Sequence, residues 1–405
     1  MSVWGLPRAE SPEQVGLSSA RLERAADVIR RDVEKKLIPG AVLVIARGGR
    51  VGYAEAFGWR DREAGAEMTA DAIFRVASMT KPITSVAAMM LSEEGRLEIA
   101  APVANYLPEF AECTIGVERV RARRTMTVQD LLRHTSGLTY GIIGDSPVQA
   151  IWREAELFRA DQTNAELVTK IARLPLMYEP GTTWEYGHSV DVLGRVVEVV
   201  SGQDLADFID TRISRPLGLR DTGFAAIGER AARIAEPQIG ARPPMHYRVT
   251  DPARRWAEGG GGAVSTAADY VRFCQMLLNG GELDGIRLLA PKTVALMTSD
   301  HLPPNCGYGD TTRERFGALA PVPEMGYGFG LGFAVRTQPG MSPVPGSVGE
   351  YFWGGVLGTY FWIDPVEQLI AVLMMVAPDQ RLHYRYLSRQ LVYAALTRSR
   401  GRAYR

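Results

Sequence analysis

β-Branched, apolar segments stand at the two ends of this 405-residue chain and are scarce between them. Ala41 to Ala46 and Val51 to Phe57 flank Gly48-Gly49 and read as an antiparallel hairpin. Three more strand segments come late: Gly328 to Val335, Gly358 to Ile363 and Leu369 to Met375, with Asp364-Pro365 starting the last turn. From about Ala100 to Arg255 the pattern is helical segments and irregular loops. The segments Thr127 to Arg133, Asn164 to Leu174, Val190 to Val200 and Leu205 to Ile213 are the helices expected there, and Thr266 to Leu278 is another. The expected fold is therefore α+β, of the α/β sandwich type. One antiparallel sheet draws strands from both ends of the chain. The helices Leu17 to Lys36 and Leu382 to Leu396 flank it. Expected boundaries are residues 8–82 and 256–400 for the discontinuous α/β subdomain and 83–255 for a mainly helical one, with the site at their interface.

Composition removes several functions. The formal net charge is zero, so there is no electrostatic footprint for nucleic acid or an anionic membrane. The densest basic cluster, Arg119 to Arg124, is short and reads as a solvated loop. The longest wholly apolar run ends at Ala377 and is far too short to span a bilayer. The first residues lack a basic start followed by an apolar core, so no secretory signal is expected. Cys113, Cys274 and Cys306 are odd in number and widely spaced, which gives neither a disulfide framework nor a zinc pattern. The expected setting is the cytoplasm, with no metal and no cofactor. Oligomeric state is left open.

Chemistry enters at Ser78-Met79-Thr80-Lys81, where an apolar helix begins and runs to Glu94, with Pro82 in its first turns and Gly95 as its cap. Residues three apart share a helix face, so Lys81 can point back at Ser78 Oγ. The unpaired N–H groups of a first helical turn carry partial positive charge, which suits a developing oxyanion. Only five of the 46 Lys and Arg residues are lysines. Arginine cannot give up its proton in a protein and a desolvated lysine can, so Lys81 is the base candidate. The pair argues for nucleophilic acyl transfer. A solvated first-turn lysine beside an N-terminal serine is the bland alternative.

Such a serine needs a second proton carrier and an oxyanion hole. Tyr186, in the loop Pro180-Gly-Thr-Thr-Trp-Glu-Tyr-Gly-His, is the carrier candidate, because a phenol near a lysine charge ionises more easily. Its alternative is a half-buried tyrosine packing a loop. Trp353-Gly354-Gly355 stands ahead of the strand at Gly358, and paired glycines let a backbone approach a ligand. The N–H of Val356 would then join that of Ser78 as an oxyanion donor. A simple bulge or turn explains the glycines equally well.

Taken in order, Ser-x-x-Lys on a helix, a tyrosine motif about a hundred residues on and a glycine-bearing late strand resemble the serine β-lactamase and penicillin-binding-protein superfamily. His134-Thr-Ser-Gly-Leu138, the loop ending at Tyr186 and Gly259-Gly-Gly-Gly-Ala-Val-Ser265 resemble its class C branch. The similarity runs from about residue 10 to residue 395. Two departures bear on the subfamily. Class C enzymes usually have Tyr-x-Asn, where this chain has Tyr186-Gly187-His188, and Lys-Thr-Gly, where it has Trp353-Gly354-Gly355. Losing the strand lysine removes an anion anchor and adds an apolar wall, which favours neutral, hydrophobic acyl substrates. Trp-Gly-Gly at this place resembles the family VIII carboxylesterases.

That resemblance implies Ser78 as nucleophile, Lys81 and Tyr186 as general base and acid, and the Ser78 and Val356 N–H groups as oxyanion hole. It implies Tyr140, His188, Trp353, Gly354 and Gly355 as substrate-binding residues. His188 either orients a substrate, pairs with Tyr186 or is filler. The expected activity is hydrolysis of small-molecule esters with short to medium acyl chains through an acyl-enzyme. A β-lactamase or D-aminopeptidase-like amidase, an acyltransferase and a binding protein without catalysis are the alternatives. Three motifs are decoys. Gly187-His-Ser-Val-Asp191 ends in Asp and follows no strand, unlike a hydrolase elbow. The run Gly326 to Gly332 leads into a strand and opens no helix, so it cannot cradle a phosphate. Lys292-Thr293 lies in an expected helix. The five histidines form no metal-binding pair, and His134 reads as structural.

Overall fold

The computed structural model describes residues 3–238 and 248–401. Its principal helices are α1 (Ser19–Glu34), α2 (Thr80–Glu93), α3 (Val128–Leu132), α4 (Asn164–Ile171), α5 (Ser189–Ser201), α6 (Leu205–Ile209), α7 (Ala267–Leu278), α8 (Thr312–Phe316) and α9 (Arg381–Ala394). The main sheet consists of β1 (Gly40–Arg47), β2 (Arg50–Asp61), β3 (Ala66–Glu67), β4 (Tyr327–Phe329), β5 (Ala334–Arg336), β6 (Tyr351–Gly354), β7 (Tyr360–Asp364) and β8 (Leu369–Met375).

Their order is β4-β5-β6-β7-β8-β1-β2-β3, antiparallel throughout. The chain ends meet where β1 pairs with β8, Ala41 opposite Met375 and Arg47 opposite Leu369. Every residue of β1, β7 and β8 is buried. A strand with no alternation of exposed side chains has a layer on each face. Helices provide those layers: α1 packs on β2 and on α9, and α7 on β1 and β8. Between α2 and α7 the described chain forms helices and only two-residue strands. Helix α2 packs against α5, which ties that helical part to the sheet. The architecture is a β-lactamase-like fold. No helix among the described residues is long and apolar enough to cross a membrane.

Two local expectations change. The segment Gly328 to Val335 is not one strand but the hairpin β4–β5, since the chain doubles back with Gly330 N–H donating to Phe333 C=O at 2.8 Å. Trp353, expected in a turn ahead of the strand at Gly358, lies inside a strand of its own, β6. Only four residues long and buried at three of them, β6 shows no alternation to read.

Candidate active site

Ser78 sits in a 3-10 turn (Ala77–Met79) that opens directly into α2, two residues ahead of the α-helix expected to hold it. The turn is strained. Ala77 has φ +46°, a left-handed conformation that a residue with a Cβ rarely adopts. Neighbours hold it on both sides: Val76 N–H donates to Ala263 C=O at 3.0 Å, and Thr359 Oγ1 donates to Val76 C=O at 3.1 Å. Thr80 Oγ1 donates to Ala77 C=O at 2.7 Å. A sharp turn fixed in this way presents Ser78 Oγ to the cleft.

Lys81 lies one turn on, with 1% of its surface exposed. Its Nζ donates to Ser78 Oγ at 3.3 Å, to Tyr140 OH at 3.1 Å and to Gly260 C=O at 2.7 Å. Three acceptors are the number an ammonium can serve. Tyr186 contributes its ring face instead: Nζ lies 4.6 Å from the ring centroid, a cation–π arrangement. The Tyr186 hydroxyl accepts the indole N–H of Trp353 at 3.3 Å. Thus both tyrosines reach Lys81, but by different parts of the side chain.

The loops carrying them are knitted together. Glu185 N–H donates to His134 C=O at 2.9 Å and Gly181 N–H to Thr135 C=O at 2.7 Å. Thr139 Oγ1 donates to Glu185 Oε1 at 2.6 Å. Asp130, fully buried, accepts from Arg124, Arg133 and Thr135 and so anchors the loop behind α3. His134 packs 4.9 Å from the Tyr186 ring. Burial first, then the charge of Lys81, holds its imidazole well below its usual range. Burial pushes Glu185 up to about 7.

At the end of β6, Gly355 must be glycine because two backbones meet there. A Cβ would collide with Thr359 Oγ1 and lie 2.6 Å from Val76 C=O, on the turn that holds Ser78. This contact brings Gly354 and Val356 to the same cleft as Ser78. Trp353 is less a wall than a backing. It is 2% exposed, packs against Phe316, Phe329 and Tyr186, and is not among the side chains lining the cleft.

His188 does not reach the cleft either. Fully buried, it pairs through Nδ1 with Asp191 Oδ2 at 2.8 Å. Asp191 Oδ1 accepts the Gly260 N–H at 2.7 Å, and the carbonyl of Gly260 takes the Lys81 bond. His188 is thus linked to Lys81 through Asp191 and Gly260, not through Tyr186.

The cleft that contains Ser78 takes in about 740 Å³, part of it open solvent. Tyr140, Phe158, Tyr186 and Phe316 give it an aromatic lining. Sequence reading missed four charged residues in it: Glu258, Arg315, Arg381 and Arg385. Glu258 is 2% exposed, and its Oε2 has no hydrogen-bond partner among the described residues. Burial, then the Asp191 carboxylate, pushes it up to about 8. Burial lowers Arg315, and lowers Arg385 to about 10. One signal was available: Arg381 and Arg385 are four apart and share a helix face. Among the described residues no cluster of three or more His, Cys, Asp or Glu could hold a metal ion. His246 lies outside them.

A beta-lactamase family model matches residues 25–393, most of the chain. The chain belongs to the beta-lactamase family. Within it, the chain is 33% identical to esterase EstB of Burkholderia gladioli, over 91% of this chain and 92% of the esterase. It is 34% identical to protein Rv1367c of Mycobacterium tuberculosis, over 87% and 89% of the two chains. Among solved structures of this fold, EstCE1, described as a hydrolase with promiscuous acyltransferase activity, superimposes with a TM-score of 0.78. That pair is 28% identical and covers 92% of this chain and 98% of EstCE1. As a beta-lactamase family member with esterase relatives, the protein is a serine hydrolase.

Proposed function

We propose that this family member is a carboxylesterase acting on small-molecule esters with short to medium acyl chains through an acyl-enzyme on Ser78. The observation that carries the reading is the 3.3 Å contact between Lys81 Nζ and Ser78 Oγ in a cleft with an aromatic lining. Ser78 Oγ attacks the ester carbonyl carbon. Its proton passes to the group formed by Lys81, Tyr186 and Tyr140. The N–H groups of Ser78 and Val356 stabilise the oxyanion. Collapse of the tetrahedral intermediate breaks the bond to the alcohol oxygen, which receives that proton. Water then attacks the acyl-enzyme by the same route and frees Ser78. Trp353, Gly354 and Gly355 shape the site, with Trp353 holding the Tyr186 hydroxyl. His188 positions Lys81 through Asp191 and Gly260.

Similarity to EstCE1 favours a second reading, in which an alcohol replaces water as the final acceptor. The test is parallel kinetics on p-nitrophenyl acetate, butyrate and octanoate and on nitrocefin, with and without added alcohol, in wild type and Ser78→Ala. Ester turnover that depends on Ser78 and exceeds nitrocefin turnover supports the esterase. Nitrocefin turnover matching the best ester puts an amidase first. An ester product that appears only with added alcohol puts acyl transfer first.

A further inference from the structure

We propose that Arg315, Arg381 and Arg385 form an anion subsite, and that the substrate is an ester carrying a free carboxylate beside the scissile group. The inference rests on the esterase reading and names the substrate class within it. It replaces the expectation of a neutral substrate drawn from the missing strand lysine.

Three guanidinium groups from two helices, α8 and α9, line the cleft that holds Ser78. Arg385 is 7% exposed. One of its nitrogens, Nη2, donates to Gly355 C=O at 2.8 Å, while Nε has no partner among the described residues. Arg381 Nη1 donates to Pro378 C=O at 3.0 Å. The guanidinium of Arg315 has no hydrogen bond or ion pair among the described residues.

Like charges held together in a half-buried site oppose one another. Burial and Arg381 both work against the charge on Arg315, and burial, Arg381 and Arg315 against that on Arg385. Tyr186 and Tyr140 favour the charge on Arg315, and the carboxyl of Glu185 does so after them. Glu258 lines the same cleft, but burial pushes its carboxyl up to about 8, so at neutral pH it brings the cluster little negative charge. An arginine stays charged when buried and binds planar oxyanions through its fork. A fixed cationic cluster without its own carboxylate is therefore completed by an anion from outside. The Arg385 bond to Gly355 places that anion next to Val356 and hence next to the reacting carbonyl.

The test compares esters that differ in one charge. Mono-p-nitrophenyl glutarate carries it on the acyl side, with p-nitrophenyl hexanoate as its neutral counterpart. The ester 4-carboxyphenyl butyrate carries it on the leaving group, with phenyl butyrate as counterpart. Rates are taken above the Ser78→Ala background. For at least one pair, wild type should show an anionic-to-neutral ratio of kcat/KM of about tenfold or more, falling to near one in Arg315→Gln/Arg381→Gln and falling with added salt. Ratios at or below one in both pairs, or ratios that the double variant leaves unmoved, overturn the subsite while the esterase reading stands. If no ester is turned over, the esterase reading fails, and calorimetry with glutarate decides the subsite. Binding to wild type that the double variant loses supports it. No binding to wild type overturns it.

Discussion

Lys81 Nζ donates to the hydroxyl of Tyr140 at 3.1 Å, while Tyr186 offers the same nitrogen only its ring face. Two phenols therefore share one lysine. Tyr140→Phe removes a hydrogen bond to Nζ, and Tyr186→Phe removes the group that Trp353 holds. Each should lower kcat by about 10²-fold or more. The double variant should lose much less than the product of the two, because the groups act as a unit. Steady-state kinetics on p-nitrophenyl butyrate checks this. Wild-type activity in Tyr186→Phe would remove Tyr186 from the relay and leave Tyr140 as the phenol that works with Lys81.

Gly355→Ala drives a methyl group into Thr359 Oγ1 and Val76 C=O. The end of β6 and the turn that holds Ser78 must then separate. A shift of about 1 Å in the oxyanion donors should cost about a hundredfold in kcat. Circular dichroism should show the fold retained.

Trp353→Lys restores the residue type usual at this place in class C enzymes, but into a pocket that is 2% exposed and walled by Phe316, Phe329 and Tyr186. A buried cation without a partner should cost about 3 kcal/mol or more. Urea unfolding should show that loss.

Glu258 keeps its proton in the folded protein up to about pH 8, against an ordinary value of 4.5. Asp191, Arg254 and Lys81 are the charged groups that act on it. Between those two pH values the folded chain holds a proton that the unfolded chain has lost. Stability should therefore fall as pH rises from 4.5 to about 8. Glu258→Gln, always neutral, should flatten that part of the profile of melting temperature against pH. An unchanged slope would mean that Glu258 ionises normally.

Glu350, fully buried, pairs with Arg336 at 3.0 Å and with Arg389 at 2.7 Å, tying β5 to α9. Glu350→Ala leaves two buried guanidinium groups without their carboxylate. It should cost about 3–5 kcal/mol in denaturant unfolding.

The sheet was legible because Ala41–Ala46 and Leu369–Met375 are apolar runs that no helix period explains, and each required a partner. Ser78 and Lys81 were legible because their contact is local, three residues apart along one chain. Tyr140, Glu258 and the arginine cluster meet them only through tertiary structure. Tyr140 joins Lys81 across 59 residues, and Gly260 across 179. No local spacing encodes such contacts. Trp353 misled for a related reason. A large apolar side chain at a site reads as a wall, whereas here it packs behind Tyr186 and supports it. His188 was left open because a histidine after Tyr186-Gly187 says nothing about Asp191, which lies one helical turn on and claims its ring.

The most direct test of the account is the mass of the enzyme quenched during turnover of p-nitrophenyl butyrate, followed by peptide mapping. The account predicts one butyryl group on the peptide containing Ser78, present in wild type and absent in Ser78→Ala, which turns over no ester. A butyryl group on another residue, or ester turnover that survives Ser78→Ala, would contradict it.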